Sequence, residues 1–290
     1  MKKIKKLFGG IDLTWKKLII FAILSGVYTA LMALIPAIKD TSFHDISVSF
    51  EVWILFGIII IMNSKSAKDS ALKCFVFFLI SQPLVYLIQV PFSSEGIGIF
   101  RYYGYWFIWT IATILMGYVG YYMKKNKWWG LLILCPILLL LGAHYYFYLK
   151  EMIYNFPYHL ITVLFCLITI LIYPLCIFNN KRYKSIGLVI SILILIISSV
   201  LAFTFKFSYN TIILISNGSE NVVFDDGYKV YMEDDLGNVY IEYKDEIGEY
   251  VINGDFVKTG KTKLILESND SEKYVFDLEV NSDSFNISKE

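Results

Sequence analysis

The side chains best suited to acid–base or metal chemistry are three histidines, His44, His144 and His159. All three are expected at the outer face of a membrane domain, and Asp40, Asp45, Glu51, Glu95 and Glu151 are expected on the same side. Asp40 and His44 are four residues apart, and His144 and Glu151 seven apart; on a continuous helix each spacing puts both groups on one face. Histidine and carboxylate together suit zinc, and three such ligands plus a water make a hydrolytic centre. The metal-ligand candidates are therefore His44, His144, His159, Asp40 and Glu151, with zinc as the cofactor this donor set would take. The catalytic candidates are His44, His144, His159 and Glu51. No His-Glu-x-x-His pair, Gly-x-Ser-x-Gly elbow or phosphate-binding glycine loop occurs. The competing expectation is that these groups hydrogen-bond between helix ends.

Glu51 lies within an apolar run, where a carboxylate is costly unless it is paired, protonated or facing water. Gln82, Gln89 and His44 are its expected partners. A transport path would use such a group, and so would an acid that simply reaches the lipid headgroups.

The elements that must position these residues are membrane-spanning helices. The chain is 57 % apolar with a mean hydropathy of +0.57, too apolar for a soluble protein of 290 residues. Seven runs are long enough for helical spans of about 17–25 residues: 17–38, 46–62, 71–90, 105–123, 128–149, 157–178 and 186–205. The second is the shortest and contains Glu51, so a tilted or re-entrant segment is the alternative there. The first is too long for the apolar region of a cleaved signal peptide and reads as a retained anchor. Cys74, Cys135, Cys166 and Cys176 all fall inside apolar runs and read as small apolar fillers.

Charge sets the expected orientation. Residues 1–205 carry 18 Lys and Arg against 7 Asp and Glu, whereas residues 206–290 carry 8 against 18. The N-terminal segment 1–16 with the start of the first span, and the second, fourth and sixth connections with their helix starts, hold 15 of those 18 basic residues. The other connections hold Lys39, Arg101 and Lys150. The positive-inside rule then puts the N-terminus in the cytoplasm and, after seven crossings, the C-terminal part outside. The first sixteen residues read as a basic segment lying on anionic lipid. The basic excess is orientation code, so nucleic acid is not an expected partner.

Within the spans, Ala22, Gly26 and Ala30 make a small-residue stripe for close helix packing, against a neighbouring span of the chain or in a homo-oligomer. Pro83, Pro136 and Pro174 interrupt three spans. Tyrosines and tryptophans cluster at the predicted interfaces, as around residues 102–109 and 145–148.

After residue 205 the period changes to two. Tyr274, Phe276, Leu278 and Val280 alternate with polar residues, as do Thr262, Leu264 and Leu266; 228–232 and 239–243 behave likewise. Asn217-Gly218, Asp226-Gly227, Leu236-Gly237-Asn238, Asn253-Gly254 and Asn269-Asp270 read as turns between strands. Asp225-Asp226-Gly227 and Glu233-Asp234-Asp235 read as solvated turns, since they lack the spaced ligands of a calcium loop. The stretch from Gly260 to Val280 resembles the last hairpin of bacterial immunoglobulin-like domains. The resemblance implies a β-sandwich used for adhesion, spacing or protein contact. The expected fold is thus a seven-helix polytopic membrane domain, 17–205, followed by a small all-β immunoglobulin-like sandwich, 206–290. The expected function is anchorage of an acidic extracytoplasmic β-domain in the plasma membrane, where it serves envelope interaction, sensing or an accessory role. The expected partners are the bilayer and an extracytoplasmic protein or envelope component. A metal-dependent membrane enzyme and a transporter or channel component are the alternatives.

Overall fold

The computed structural model describes residues 2–39, 41–125, 127–154, 156–204, 208–218, 222–268, 272–281 and 284–289. The chain divides into two compact units, Met1–Phe203 and Thr204–Glu290.

The first unit is helical: α1 (Lys2–Leu7), α2 (Trp15–Leu34), α3 (Ser42–Val48), α4 (Phe50–Met62), α5 (Ala67–Gln89), α6 (Tyr103–Gly120), α7 (Trp128–Tyr154), α8 (Leu160–Ile177) and α9 (Lys181–Thr204). Among the described residues, six helices are long and apolar enough to cross a membrane, and the bent pair α3 and α4 makes a seventh if it is one span. At 1.5 Å per residue, the 20 residues of α2 match a hydrocarbon core of about 30 Å. The chain is a multi-pass membrane protein by this measure, and large apolar side chains such as Leu115, Leu193, Ile197 and Phe203 lie exposed on its helices.

The expected second span, 46–62, falls on this bent helix pair. It bends by 47° at Ser49, which ends α3 and starts α4. The Ser49 N–H donates to the Asp45 carbonyl at 2.9 Å, closing α3, and Glu51 falls in the first turn of α4.

Glycine lets the helices approach. A Cβ on Gly26 would lie 2.7 Å from the Ser81 carbonyl oxygen, so the Ala22-Gly26-Ala30 stripe of α2 packs on α5. Gly117 brings α6 equally close to α5, where a Cβ would lie 2.9 Å from the Ser70 carbonyl oxygen. Polar side chains tie helix to helix: Ser191 Oγ donates to the Ile170 carbonyl at 2.9 Å and Ser198 Oγ to that of Gly142 at 3.0 Å. Pro83, Pro136 and Pro174 lie inside α5, α7 and α8.

The second unit contains seven strands among the described residues: β1 (Tyr209–Ile215), β2 (Tyr228–Met232), β3 (Gly237–Lys244), β4 (Glu249–Phe256), β5 (Gly260–Ser268), β6 (Lys273–Val280) and β7 (Phe285–Lys289). They form two antiparallel sheets, ordered β1-β4-β3 and β2-β5-β6-β7. Val251, Ile252 and Phe256 of the first and Leu264, Leu266, Phe276 and Leu278 of the second are fully buried. A constant-type immunoglobulin sandwich separates its fifth strand from its sixth and seventh; here β5, β6 and β7 are consecutive neighbours in one sheet.

Asn253-Gly254, expected as a turn, lies inside β4, opposite Tyr240 and Val239 of β3 and Ile212 and Thr211 of β1. The glycine is there for space: a Cβ on Gly254 would lie 2.6 Å from the Phe256 ring and 2.7 Å from Ile213 Cδ1. The Asn253 amide donates to Glu242 Oε2 at 3.0 Å. Asn217-Gly218 and Asp226-Gly227 are turns as expected, with Asn217 at φ 59° and Asp225 Oδ1 accepting from the Gly227 N–H at 2.9 Å. Asn269 and Asp270 lie outside the described residues.

Candidate functional site

Two carboxylate–histidine pairs of the helical unit lie where α3 meets α4, α7 nears its end and α8 begins. α4 carries Glu51 in its first turn, where the residue is only 1 % exposed. A buried carboxylate needs a partner, and α7 supplies it: His144 Nδ1 lies 2.5 Å from Glu51 Oε1. The Cys166 thiol of α8 lies 3.9 Å from the same oxygen. Glu51 Oε2 is buried with no hydrogen-bond partner among the described residues. The His144 ring meets Phe50 edge-on, with centroids 6.2 Å apart, and Phe50 in turn packs on Trp106 and Trp109 of α6.

A second pair lies between α3 and α8. His159, at the N-terminal cap of α8 with φ 63°, puts Nδ1 2.6 Å from Asp45 Oδ2. Thr162 Oγ1, one turn further, donates to the same oxygen at 2.9 Å, and the Thr162 N–H reaches Ser42 Oγ at 3.3 Å. Three consecutive features of α8 therefore grip α3. Tyr148 of α7 covers the imidazole, with ring centroids 5.7 Å apart.

An ionised carboxylate only accepts hydrogen bonds, so with its carboxylate ionised each pair has a proton on the histidine Nδ1. The geometry is that of two histidine–carboxylate dyads, one joining α4 to α7 and the other α3 to the start of α8.

The candidates of the sequence are thus sorted into different partnerships. His144 and Glu51 come together, although Gln82, Gln89 and His44 were the expected partners of Glu51. Gln89 instead donates to the Val85 carbonyl at 3.1 Å on its own helix. Glu151 is buried on α7 with Oε1 3.2 Å from Lys150 Nζ, and Glu95 pairs with Arg101 at 2.9 Å. His44, half-buried on α3, makes no hydrogen bond or ion pair among the described residues. Asp40 lies outside the described residues. No three His, Cys, Asp or Glu side chains gather closely enough among the described residues to hold a metal ion.

Asp45 enters the sequence only as one of the carboxylates grouped with the histidines, and Thr162 and Ser42 carry no signal of their own there. The spacing of His159 and Thr162, three apart, signals a shared helix face. Nothing local links either residue to Asp45, which is more than a hundred positions away.

The β unit carries a different kind of surface. Tyr240 and Glu242 point outward from β3, and Asp255 lies on the neighbouring β4. The charge of Asp255 pushes the Tyr240 phenol above its ordinary range, and Asp226 does the same to Tyr250.

No protein-family model, curated protein or solved structure matches this chain.

Proposed function

We propose that the helical unit is an anchor in the plasma membrane and that it presents the acidic β unit outside the cell to a cationic protein or envelope partner. The observation that carries this reading is the segregation of charge. Basic residues sit on alternate connections of the helical part, and the part after residue 205 holds 18 acids against 8 bases. The outward tyrosines and acids of β3 and β4 support a contact role, since tyrosine combines apolar area with a polar tip at interfaces. The dyads serve this role as cross-links, fixing α3 and α4 against α7 and α8. The immunoglobulin-like resemblance of the β5–β6 hairpin points the same way, toward adhesion or protein contact.

The test has two arms in intact cells. With the native cysteines replaced, a membrane-impermeant maleimide labels Ser284→Cys but reaches Lys125→Cys only after permeabilisation; the reverse pattern overturns the orientation. A photo-cross-linking residue at Tyr240 captures a partner, and Glu242→Gln with Asp255→Asn reduces the yield. Capture no greater than from the apolar position Leu115 overturns the contact role.

A second reading, transport through the bundle, draws on one observation, the unpartnered and buried Oε2 of Glu51. Proton flux into proteoliposomes that is lost in Glu51→Gln supports it, and equal flux in both proteins removes it.

A further inference from the structure

At the other end of α4 from Glu51, the N-terminal segment is docked onto the helical unit. Asn63, which ends α4 and is 9 % exposed, holds it from both sides. Its side-chain amide donates to the Leu7 carbonyl at 2.6 Å and its oxygen accepts from the Ile11 N–H at 2.7 Å. Phe8, 6 % exposed, inserts between these points and packs edge-on against Tyr173 of α8, centroids 6.1 Å apart. α1 and Gly9-Gly10 thus form a fixed strap, more than the lipid-lying basic segment expected from sequence.

The strap lines an open cavity of about 450 Å³. Its floor is apolar, from Met62, Ile177 and Cys176, and its rim carries Lys5, Lys6 and Lys124. No Asp or Glu among the described residues lines it. Lys124 is anchored, with Nζ donating to the Ser64 carbonyl at 2.6 Å and lying 4.7 Å from the Tyr121 ring centroid, so its charge has a fixed position. Like charges around a concave site repel one another, and an anion between them relieves that repulsion.

We infer that this cavity binds a phosphate-bearing anion, held by Lys5, Lys6 and Lys124 over the apolar floor. The volume suits a small polar group, and an apolar floor at a membrane interface suits the glycerol end of an anionic phospholipid. The cavity and its lysines carry this assignment whichever face of the membrane that end of α4 occupies.

The full-length protein, delipidated in non-ionic detergent, is titrated with short-chain phosphatidylglycerol, phosphatidylcholine and inorganic phosphate, and occupancy is read by native mass spectrometry. The expected result is one phosphatidylglycerol retained in preference to phosphatidylcholine. Lys5→Gln with Lys6→Gln, both at exposed positions, weakens binding about thirtyfold, at about 1 kcal/mol per lysine. Lys16→Gln with Lys17→Gln makes the same change of charge outside the cavity and leaves binding unaltered. Inorganic phosphate that binds in a Lys5- and Lys6-dependent way while phosphatidylglycerol shows no preference assigns the site to a soluble anion. Equal weakening by both double variants overturns the site, as does failure of both anions to bind in preference to phosphatidylcholine.

Discussion

Glu51 and His144, 93 residues apart in the chain, meet at 2.5 Å between α4 and α7, with the carboxylate almost wholly enclosed. Removing one member of a buried pair leaves the other uncompensated, whereas removing both removes the need for compensation. His144→Ala is therefore expected to destabilise the helical unit by about 3 kcal/mol, and the double variant Glu51→Ala, His144→Ala by less. Thermal loss of monodisperse protein in detergent measures both. A double variant less stable than His144→Ala would mean the pair is not coupled.

The second dyad makes a graded prediction. Thr162 Oγ1 contributes one of two hydrogen bonds to Asp45 Oδ2, so Thr162→Ala should cost about 1–2 kcal/mol. Asp45→Ala should cost more, because it strips His159 and Thr162 of a common acceptor. An order reversed between these two variants would show that Thr162 acts through another contact.

Close packing predicts a contrast between two glycines of neighbouring helices. Gly26→Ala drives a methyl into the Ser81 carbonyl and should destabilise by about 1–3 kcal/mol. Gly57→Ala meets nothing within 4 Å and should be neutral or up to about 1 kcal/mol stabilising, through helix propensity. The same stability assay, run side by side, decides it.

The acidic surface of the β unit can be read at one tyrosine. Asp255 is the main influence raising the Tyr240 phenol. A negative neighbour disfavours the phenolate, so Asp255→Asn should lower the Tyr240 midpoint toward its ordinary value near 10. NMR of protein carrying ring-labelled tyrosine resolves that residue; an unchanged midpoint would remove Asp255 as the source.

The helices were legible because the bilayer demands apolar runs of a set length, and α2, α5, α7, α8 and α9 satisfy it with little ambiguity. The break at Ser49 was legible only as weakness, a short run containing an acid. Strands β2 and β6 were read over the same residues they occupy, because each alternates cleanly. β4 was missed because Asn253-Gly254 has turn composition, and only the neighbouring Phe256 ring explains the glycine. β1 ends in the continuous apolar run Ile212–Ile215, which masks a period of two, and β7 is a short edge strand. The histidines and acids of the site were visible as residue types. Their pairing was not, since Glu51–His144 and Asp45–His159 join segments about 90 and 110 residues apart, and such contacts leave no local pattern.

The bonds from Asn63 to Leu7 and Ile11 span 56 and 52 residues. As the chain leaves the ribosome, α1 emerges before α2 and long before the end of α4. Its resting place does not exist until α4 has formed and has brought up Asn63. α1 is therefore seated later than α2 forms, and a variant that obstructs its docking would leave the helices packed but Asn63 without these two partners.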